Sequence, residues 1–315
     1  MIARPAIGAS VDLGSTSVHL LVAAIEGHRL RPLVDESAFL GLGAAVDVDA
    51  RLGPEARQAL VETLATYVAS ARGLGATAIT LIGTEPIRRA ADGARIVADV
   101  EAGSGVPLHV LTHEEEAYLT LIGVTRGRPV THEMLVVDIG GGSSEFCAVG
   151  PHSIARAAGL RLGSNRLTSR FATADPPTEA EVNAMWVAAD EILRDAVSAT
   201  PTELIVVGGT ASNILKVTNA GIADSVITRP RIEEALANLR SRSAVAISAR
   251  YGVKPVRARI LPAGAVIVDA LMRRYGVERV RVSEEGMREG AILVADHAGR
   301  EWRDRLADLA HGWRT

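Results

Sequence analysis

The sequence predicts an α/β protein of two domains built to one plan, on three observations. One phrase occurs twice, as Val11-Asp12-Leu13-Gly14-Ser15-Thr16-Ser17 and as Val137-Asp138-Ile139-Gly140-Gly141-Gly142-Ser143-Ser144-Glu145. The order of elements around it also repeats, three strands followed by alternating helices and strands in each half. Finally, 315 residues exceed the usual size of a single core, and a hydrophobic content of 48% supplies material for two.

In the first half, the apolar run Ala6 to Val11 reads as a buried strand that ends in an aspartate, turns on glycine and hydroxyl residues and resumes as another apolar run. Strands continue to about residue 40. A helix follows from Pro54 to about Arg72, with Leu60, Leu64, Tyr67 and Ala71 on one face, Pro54 at its first position and Gly73 and Gly75 at its exit. Next come a strand over Ala78 to Ile82, a helix over Ile87 to Glu101, a short strand over Leu108 to Leu111 and a helix opening at Thr112 or His113. The second half repeats the series with a strand from Met134 that ends at Asp138 and strands near 144–149 and 153–160. Thr178 and Glu181 form a capping box that opens a helix with Val182, Met185, Ala189 and Leu193 on its apolar face. A strand over Leu204 to Val207 leads into Gly208-Gly209-Thr210; helices over 231–249 and 262–275, a strand over Val280 to Val282 and a helix from Gly286 complete the half. Trp302, Leu306, Leu309 and Trp313 recur at helical spacing and give the last segment an apolar face, which must pack back across the first domain or into a dimer.

The repeated turn suits a phosphate. Glycines let consecutive backbone N–H groups converge on one point, serine and threonine hydroxyls add donors without negative charge, and the aspartates can hold a cation beside the anion. One such turn is ordinary hairpin chemistry. Two matched copies point to a phosphate cradle, with one site between the domains.

Composition narrows the partners. A formal net charge of −3 argues against a general nucleic-acid or membrane-surface binder, so no DNA and no membrane are expected as partners. No long uncharged apolar stretch is present, and Met1-Ile2-Ala3-Arg4-Pro5 lacks the pattern of a signal peptide, which predicts a cytoplasmic protein. The single Cys147 excludes an intramolecular disulfide and, within the run Phe146-Cys147-Ala148-Val149, reads as a core residue. Lys216 and Lys254 are the only lysines, so the positive charge is almost all arginine.

With both loops placed, the order of motifs resembles the exopolyphosphatase and guanosine pentaphosphate phosphohydrolase (Ppx/GppA) family over nearly the whole chain. The motifs are Asp12 to Ser17, Thr84-Glu85-Pro86-Ile87-Arg88-Arg89-Ala90, Glu114-Glu115-Glu116-Ala117-Tyr118-Leu119, Asp138 to Glu145, Leu160 to Leu167, Gly208-Gly209-Thr210, Leu261-Pro262-Ala263-Gly264 and Ser283 to Gly290. The resemblance implies two actin-like (ribonuclease H-like) domains, each a mixed sheet flanked by helices, with the active site in the cleft. The expected boundaries are 1–125, 126–298 and a C-terminal amphipathic helix over 299–315.

The activity implied is release of terminal orthophosphate from inorganic polyphosphate or from guanosine pentaphosphate (pppGpp) by a homodimer. Glu116 is the implied base that activates water, with Glu115 the alternative if the register shifts by one, and Arg88 grips phosphate oxygens. Gly14, Ser15, Thr16 and Ser17 with Gly140, Gly141, Gly142, Ser143 and Ser144 cradle phosphate. Asp138, Glu145 and Asp12 are the carboxylates for Mg²⁺ or another divalent cation. A polyphosphate chain calls for a basic track, for which Arg250, Lys254, Arg257 and Arg259, or Arg161 and Arg166, are candidates. The chain departs from the family pattern at Thr16 (usually Asn), at Glu85 and Pro86 (usually Ser and Ala) and at Tyr118 (usually Arg). Two other readings share the loops: a non-catalytic sensor of a phosphorylated ligand, and an ATP-dependent kinase of the same superfamily.

Overall fold

In the structure, a computed structural model that describes residues 5–218 and 225–314, the apolar runs of each half become a mixed sheet. The opening Met1 to Arg4 lies outside the described residues. In the first half the strands are β1 (Ile7–Leu13), β2 (Ser17–Glu26), β3 (Arg29–Phe39), β4 (Ala78–Gly83) and β5 (Leu108–Val110), in the order β3-β2-β1-β4-β5. Strand β1 is antiparallel to β2 and parallel to β4. The helices are α1 (Leu42–Asp49), α2 (Pro54–Gly73), α3 (Glu85–Arg89), α4 (Gly93–Ser104) and α5 (His113–Thr125). Alternate residues of a strand face opposite ways. Ala9, Val11 and Leu13 accordingly join Leu60 and Leu64 of α2 and Ile96 and Val100 of α4 on one face. Ile82 and Leu111 join Leu119 and Ile122 of α5 on the other.

The second half runs β6 (Met134–Ile139), β7 (Ser144–Gly150), β8 (Ser153–Leu160), α6 (Ser164–Phe171), α7 (Glu179–Ile192), β9 (Glu203–Val207), α8 (Gly209–Val217), β10 (Val226–Thr228), α9 (Arg229–Ser241), α10 (Ala244–Tyr251), α11 (Pro255–Tyr275) and β11 (Arg279–Ser283). Its sheet order, β10-β11-β9-β6-β7-β8, is that of the first sheet with β10 added at one edge. Helices α6 through α11 cover Leu135, Val137, Ile139 and Val206. The thiol of Cys147 is buried, and burial pushes its pKa up to about 12, so it behaves as an apolar filler.

The chain divides into Met1–Val130 with Glu285–Thr315, and Thr131–Glu284. Helix α12 (Met287–Ala298) and the short α13 (Leu306–Leu309) therefore belong with the first half, whereas the sequence reading drew that boundary after residue 298. The reason is a glycine contact between α5 and α12. A Cβ on Gly123 would fall 1.9 Å from Gly286 O, and one on Gly290 would fall 1.9 Å from Leu119 O. Trp302, Leu306 and Leu309 bury against Leu119, Ile122 and Met287 in the same unit. The expected single C-terminal helix is instead two 3₁₀ turns and α13. No helix among the described residues is long and apolar enough to cross a membrane.

Two helices expected to be continuous are each broken by tertiary hydrogen bonds. The 87–101 segment divides into α3 and α4 because Ala91 N–H is drawn to Ala50 O at 2.8 Å and Asp92 accepts from Leu52 N–H at 3.1 Å and Arg57 at 3.2 Å. The 231–249 segment divides at Ser243, whose hydroxyl caps α10 from Ala246 N–H at 3.3 Å while Asp175 takes Ala244 N–H at 2.9 Å. Helix α11 starts earlier than expected and runs through Pro262.

Replacing Gly290 by Ala is expected to destabilise the first unit by about 1–3 kcal/mol, since the methyl group must push α5 and α12 apart. Chemical denaturation of wild type and variant measures it; equal midpoints would show that the two helices have room to spare.

Candidate functional site

Both copies of the repeated phrase close the same turn. Gly14 N–H bonds to Ser17 O at 3.2 Å and Gly140 N–H to Ser143 O at 3.0 Å. What aims each turn is the capture of its carbonyls. In the second unit the start of α6 takes them: Ser164 N–H bonds to Gly140 O at 3.1 Å, and Asn165 and Arg166 N–H to Gly141 O at 2.9 and 3.0 Å. Arg166 Nε adds a bond to Gly142 O at 2.8 Å. A trans peptide points its N–H opposite to the carbonyl before it, so the N–H groups of Gly141, Gly142 and Ser143 turn away from α6. The same bonds satisfy the donors that the first turn of α6 would otherwise leave orphaned. Gly163 permits the approach, because a Cβ there would lie 2.3 Å from Gly141 O.

The first unit reaches the same arrangement through α1, which the sequence reading did not detect. Gly43 N–H bonds to Ser15 O at 2.8 Å and Gly41 N–H to Thr16 O at 3.1 Å, which turns the N–H groups of Thr16 and Ser17 to the opposite side. A Cβ on Gly43 would meet Ser15 Cβ at 2.8 Å. The residues expected to cradle phosphate are thus placed as two turns, one per unit. Ser144 differs: it is fully buried and its hydroxyl donates to Leu162 O at 2.5 Å, so its side chain closes the turn from behind.

The carboxylates sort by cross-strand register. Asp138 lies directly opposite Glu145, on the same face of the sheet, and Glu145 is 5% exposed. Gly208, at φ +98°, passes so close that a Cβ would lie 2.9 Å from Asp138 Oδ1. Two opposed carboxylates, one of them buried, are a donor set that suits a hard divalent cation keeping some of its waters. In the first unit the residue opposite Asp12 is His19, so only the second hairpin carries a facing carboxylate pair.

The Gly208-Gly209-Thr210 segment opens α8, and Thr210 Oγ1 donates to Ser164 Oγ at 3.3 Å, tying α8 to the start of α6. Gly264 of α11 makes room, since a Cβ there would meet Thr210 Cγ2 at 2.2 Å. Of the arginines considered for a basic track, Arg257 lies 3.6 Å from where a Gly209 Cβ would be, and its burial lowers its pKa from the usual arginine value. Arg259 instead donates to Ala172 O at 3.0 Å, and Arg250 lies over the Tyr251 ring.

Helix α5 separates the adjacent glutamates. Residues one apart on a helix point about 100° apart, so they cannot share a direction. Glu115 completes a capping box with Thr112: Thr112 N–H bonds to Glu115 Oε2 at 2.7 Å, and Glu115 N–H to Thr112 Oγ1 at 3.2 Å. Arg303 from the C-terminal segment holds both Glu115 oxygens, at 2.5 and 2.9 Å, and also Val110 O at 2.8 Å. Burial pushes the Glu115 pKa up, but the Arg303 and Thr112 hydrogen bonds outweigh it and hold the carboxyl below its ordinary value.

Glu116 is 5% exposed and pairs with Arg88 at 2.5 Å. The Arg88 guanidinium also bonds to Leu111 O at 2.5 Å and approaches the His113 ring at 3.0 Å. The structure therefore brings Arg88 and Glu116 together and adds His113, which the sequence reading passed over. The only signal for it was its place as the first residue of α5, directly after the cap.

A family profile, that of the Ppx/GppA phosphatase family, matches residues 21–297. Exopolyphosphatase 1 of Mycobacterium tuberculosis is 28% identical over 305 residues, covering 90% of this chain and 86% of that protein. The guanosine-5'-triphosphate,3'-diphosphate pyrophosphatase of Aeromonas hydrophila is 25% identical over 308 residues, covering 95% of this chain and 62% of the longer relative. Among solved structures, the Aquifex aeolicus Ppx/GppA family member superposes with a TM-score of 0.82 at 25% identity, covering 94% of this chain and 99% of that one.

The lowered pKa of Glu115 has a defined consequence for stability. A carboxylate depressed in the folded state stabilises it above its unfolded pKa, and that contribution disappears as pH falls through the folded value. Glu115→Gln, which can still accept from Thr112 N–H, is therefore expected to lower stability at neutral pH by up to roughly 1 kcal/mol through the lost ion pair, and to flatten the loss of stability below the ordinary glutamate value of 4.5. Thermal melts from neutral pH into acid measure both; an unchanged acid limb would show that the Arg303 contact contributes nothing.

Proposed function

Since the chain belongs to the Ppx/GppA phosphatase family, we propose that it is a phosphohydrolase that releases terminal orthophosphate from inorganic polyphosphate or from pppGpp. The observation that carries the reading is the buried Glu116 held against Arg88, in a chain that also holds two carbonyl-anchored glycine turns. The names of the relatives support the substrate class.

Phosphoanhydride hydrolysis asks little covalent chemistry of a protein; it needs positioned water and neutralised charge on the phosphoryl oxygens. In the proposed reaction a water oxygen attacks the terminal phosphorus, the bond to the bridging oxygen breaks, and its electron pair leaves with the shortened chain. Glu116 accepts the proton that the water loses. Arg88 links the two tasks. Its guanidinium binds Glu116 and His113 in the resting site, and an incoming phosphate offers it a second anionic partner of matching fork geometry. Transfer of Arg88 toward phosphate charges the substrate's surroundings positively and releases Glu116 to act as base. The aligned N–H groups of Thr16 and Ser17, and of Gly141, Gly142 and Ser143, hold phosphate oxygens. Asp138 and Glu145 would hold Mg²⁺ or a similar divalent cation, which supplies charge neutralisation on phosphate oxygens when bound. A cytoplasmic setting belongs to the same reading.

The test is phosphate release with Mg²⁺ from long polyphosphate, short polyphosphate and pppGpp, beside direct binding of each. Glu116→Gln is expected to lower kcat by about 10²–10⁴-fold while the dissociation constant stays within roughly threefold. Arg88→Ala is expected to weaken binding by roughly ten- to a hundredfold. Tight binding by the wild type without release would make the chain a sensor of the same ligands, and equal modest effects of both substitutions would remove the assigned roles.

A further inference from the structure

The Ser15 side chain of the first turn points to a charge placed behind the turn. Its hydroxyl donates to Glu85 Oε2 at 3.2 Å. Glu85, with a side chain 8% exposed, also receives Arg89 Nε at 2.8 Å. Arg89 continues to Asp47 of α1 at 2.8 Å and to Gly43 O at 3.4 Å. Gly43 in turn binds Ser15 O through its N–H. Ser15 is thus held twice, by its backbone to α1 and by its hydroxyl to α3, in a network that closes on Gly43.

This arrangement has two electrostatic consequences. A serine hydroxyl carries one proton, and here that proton is committed to a carboxylate. The Ser15 hydroxyl therefore donates no hydrogen bond to an anion in the turn. Within the bonds just named, Glu85, Arg89 and Asp47 sum to one negative charge, which opposes the attraction that the Thr16 and Ser17 amides exert on phosphate. We propose that Glu85 is an affinity-setting residue that weakens the first turn's hold on phosphate, with Arg89 setting how strongly it does so. The inference rests on the reading that the first turn holds a substrate phosphate. A weaker hold on the ground state leaves orthophosphate free to depart and keeps binding energy from being spent equally on substrate and transition state.

Glu85→Gln is the informative change, because it removes the charge with little change of shape, leaving one acceptor oxygen for the two bonds that Ser15 and Arg89 now make to the carboxylate. Tripolyphosphate and orthophosphate are titrated calorimetrically into wild type, Glu85→Gln and Arg89→Gln at low and high salt, with thermal melts to confirm folding. The Glu85→Gln substitution is expected to tighten both ligands by about three- to tenfold at low salt, with the difference shrinking as salt screens the charge. Steady-state assays should show KM falling while kcat stays within about twofold. Arg89→Gln, which removes the positive charge beside these carboxylates, is expected to weaken binding by a similar factor. Shifts of both variants in the same direction, or no tightening in Glu85→Gln, would overturn the inference. Should Glu85→Gln fail to fold, Arg89→Gln carries the test alone, and unchanged binding in it would overturn the inference. Failure of the wild type to bind tripolyphosphate or pppGpp would instead overturn the functional reading itself.

Discussion

The capture of loop carbonyls by neighbouring backbone is the constraint on which the candidate chemistry depends. A glycine turn by itself can adopt many conformations, and only some of them converge N–H groups on one point. The hydrogen bonds from Ser164, Asn165 and Arg166 to the carbonyls of Gly140 and Gly141 remove that freedom in the second unit. Those from Gly41 and Gly43 to Thr16 and Ser15 remove it in the first. In each case the entropy of ordering the turn is met by packing elsewhere, α6 against the second core and α1 against the first. The turns are therefore ordered before any ligand arrives, which is what electrostatic preorganisation requires.

The acidic run on α5 shows how one helix turn assigns different tasks to like residues. Glu115 spends its oxygens on the helix cap and on Arg303, a bond that fastens the C-terminal segment to the helix start. Glu116, rotated away from it, meets Arg88. The C-terminal segment thereby supports the position of the proposed base without touching it. Its Trp302, Leu306 and Leu309 add apolar burial against α5 and α12, and the glycine contact between those helices sets their separation.

Legibility followed the range of the interactions involved. The capping box at Thr178, the helix start at Thr112 or His113 and the buried strands around β1 and β6 rest on local periodicity and short-range hydrogen bonds, and they stood out in the sequence. The interruptions at Ala91 and Ser243 did not, because the groups that draw the chain out of helix, Ala50 O and the Asp175 carboxylate, are distant in sequence. Helix α1 was missed for a related reason: its segment Leu42–Asp49 is short, is entered through a glycine and has no capping side chain. The departure at Glu85 was visible as a negative charge, but its ties to Ser15 and Arg89 needed coordinates.

By itself the sequence determined the two-sheet α/β architecture, the two matched turns and the family, because apolar period, glycine placement and motif order are properties of the chain read in line. The tertiary structure alone decided which of Glu115 and Glu116 meets Arg88, that Ser144 closes its turn from behind, and that α12 packs with the first unit. Each of these depends on a side-chain direction or a close backbone approach between segments far apart in sequence, and a periodic pattern carries no information about either.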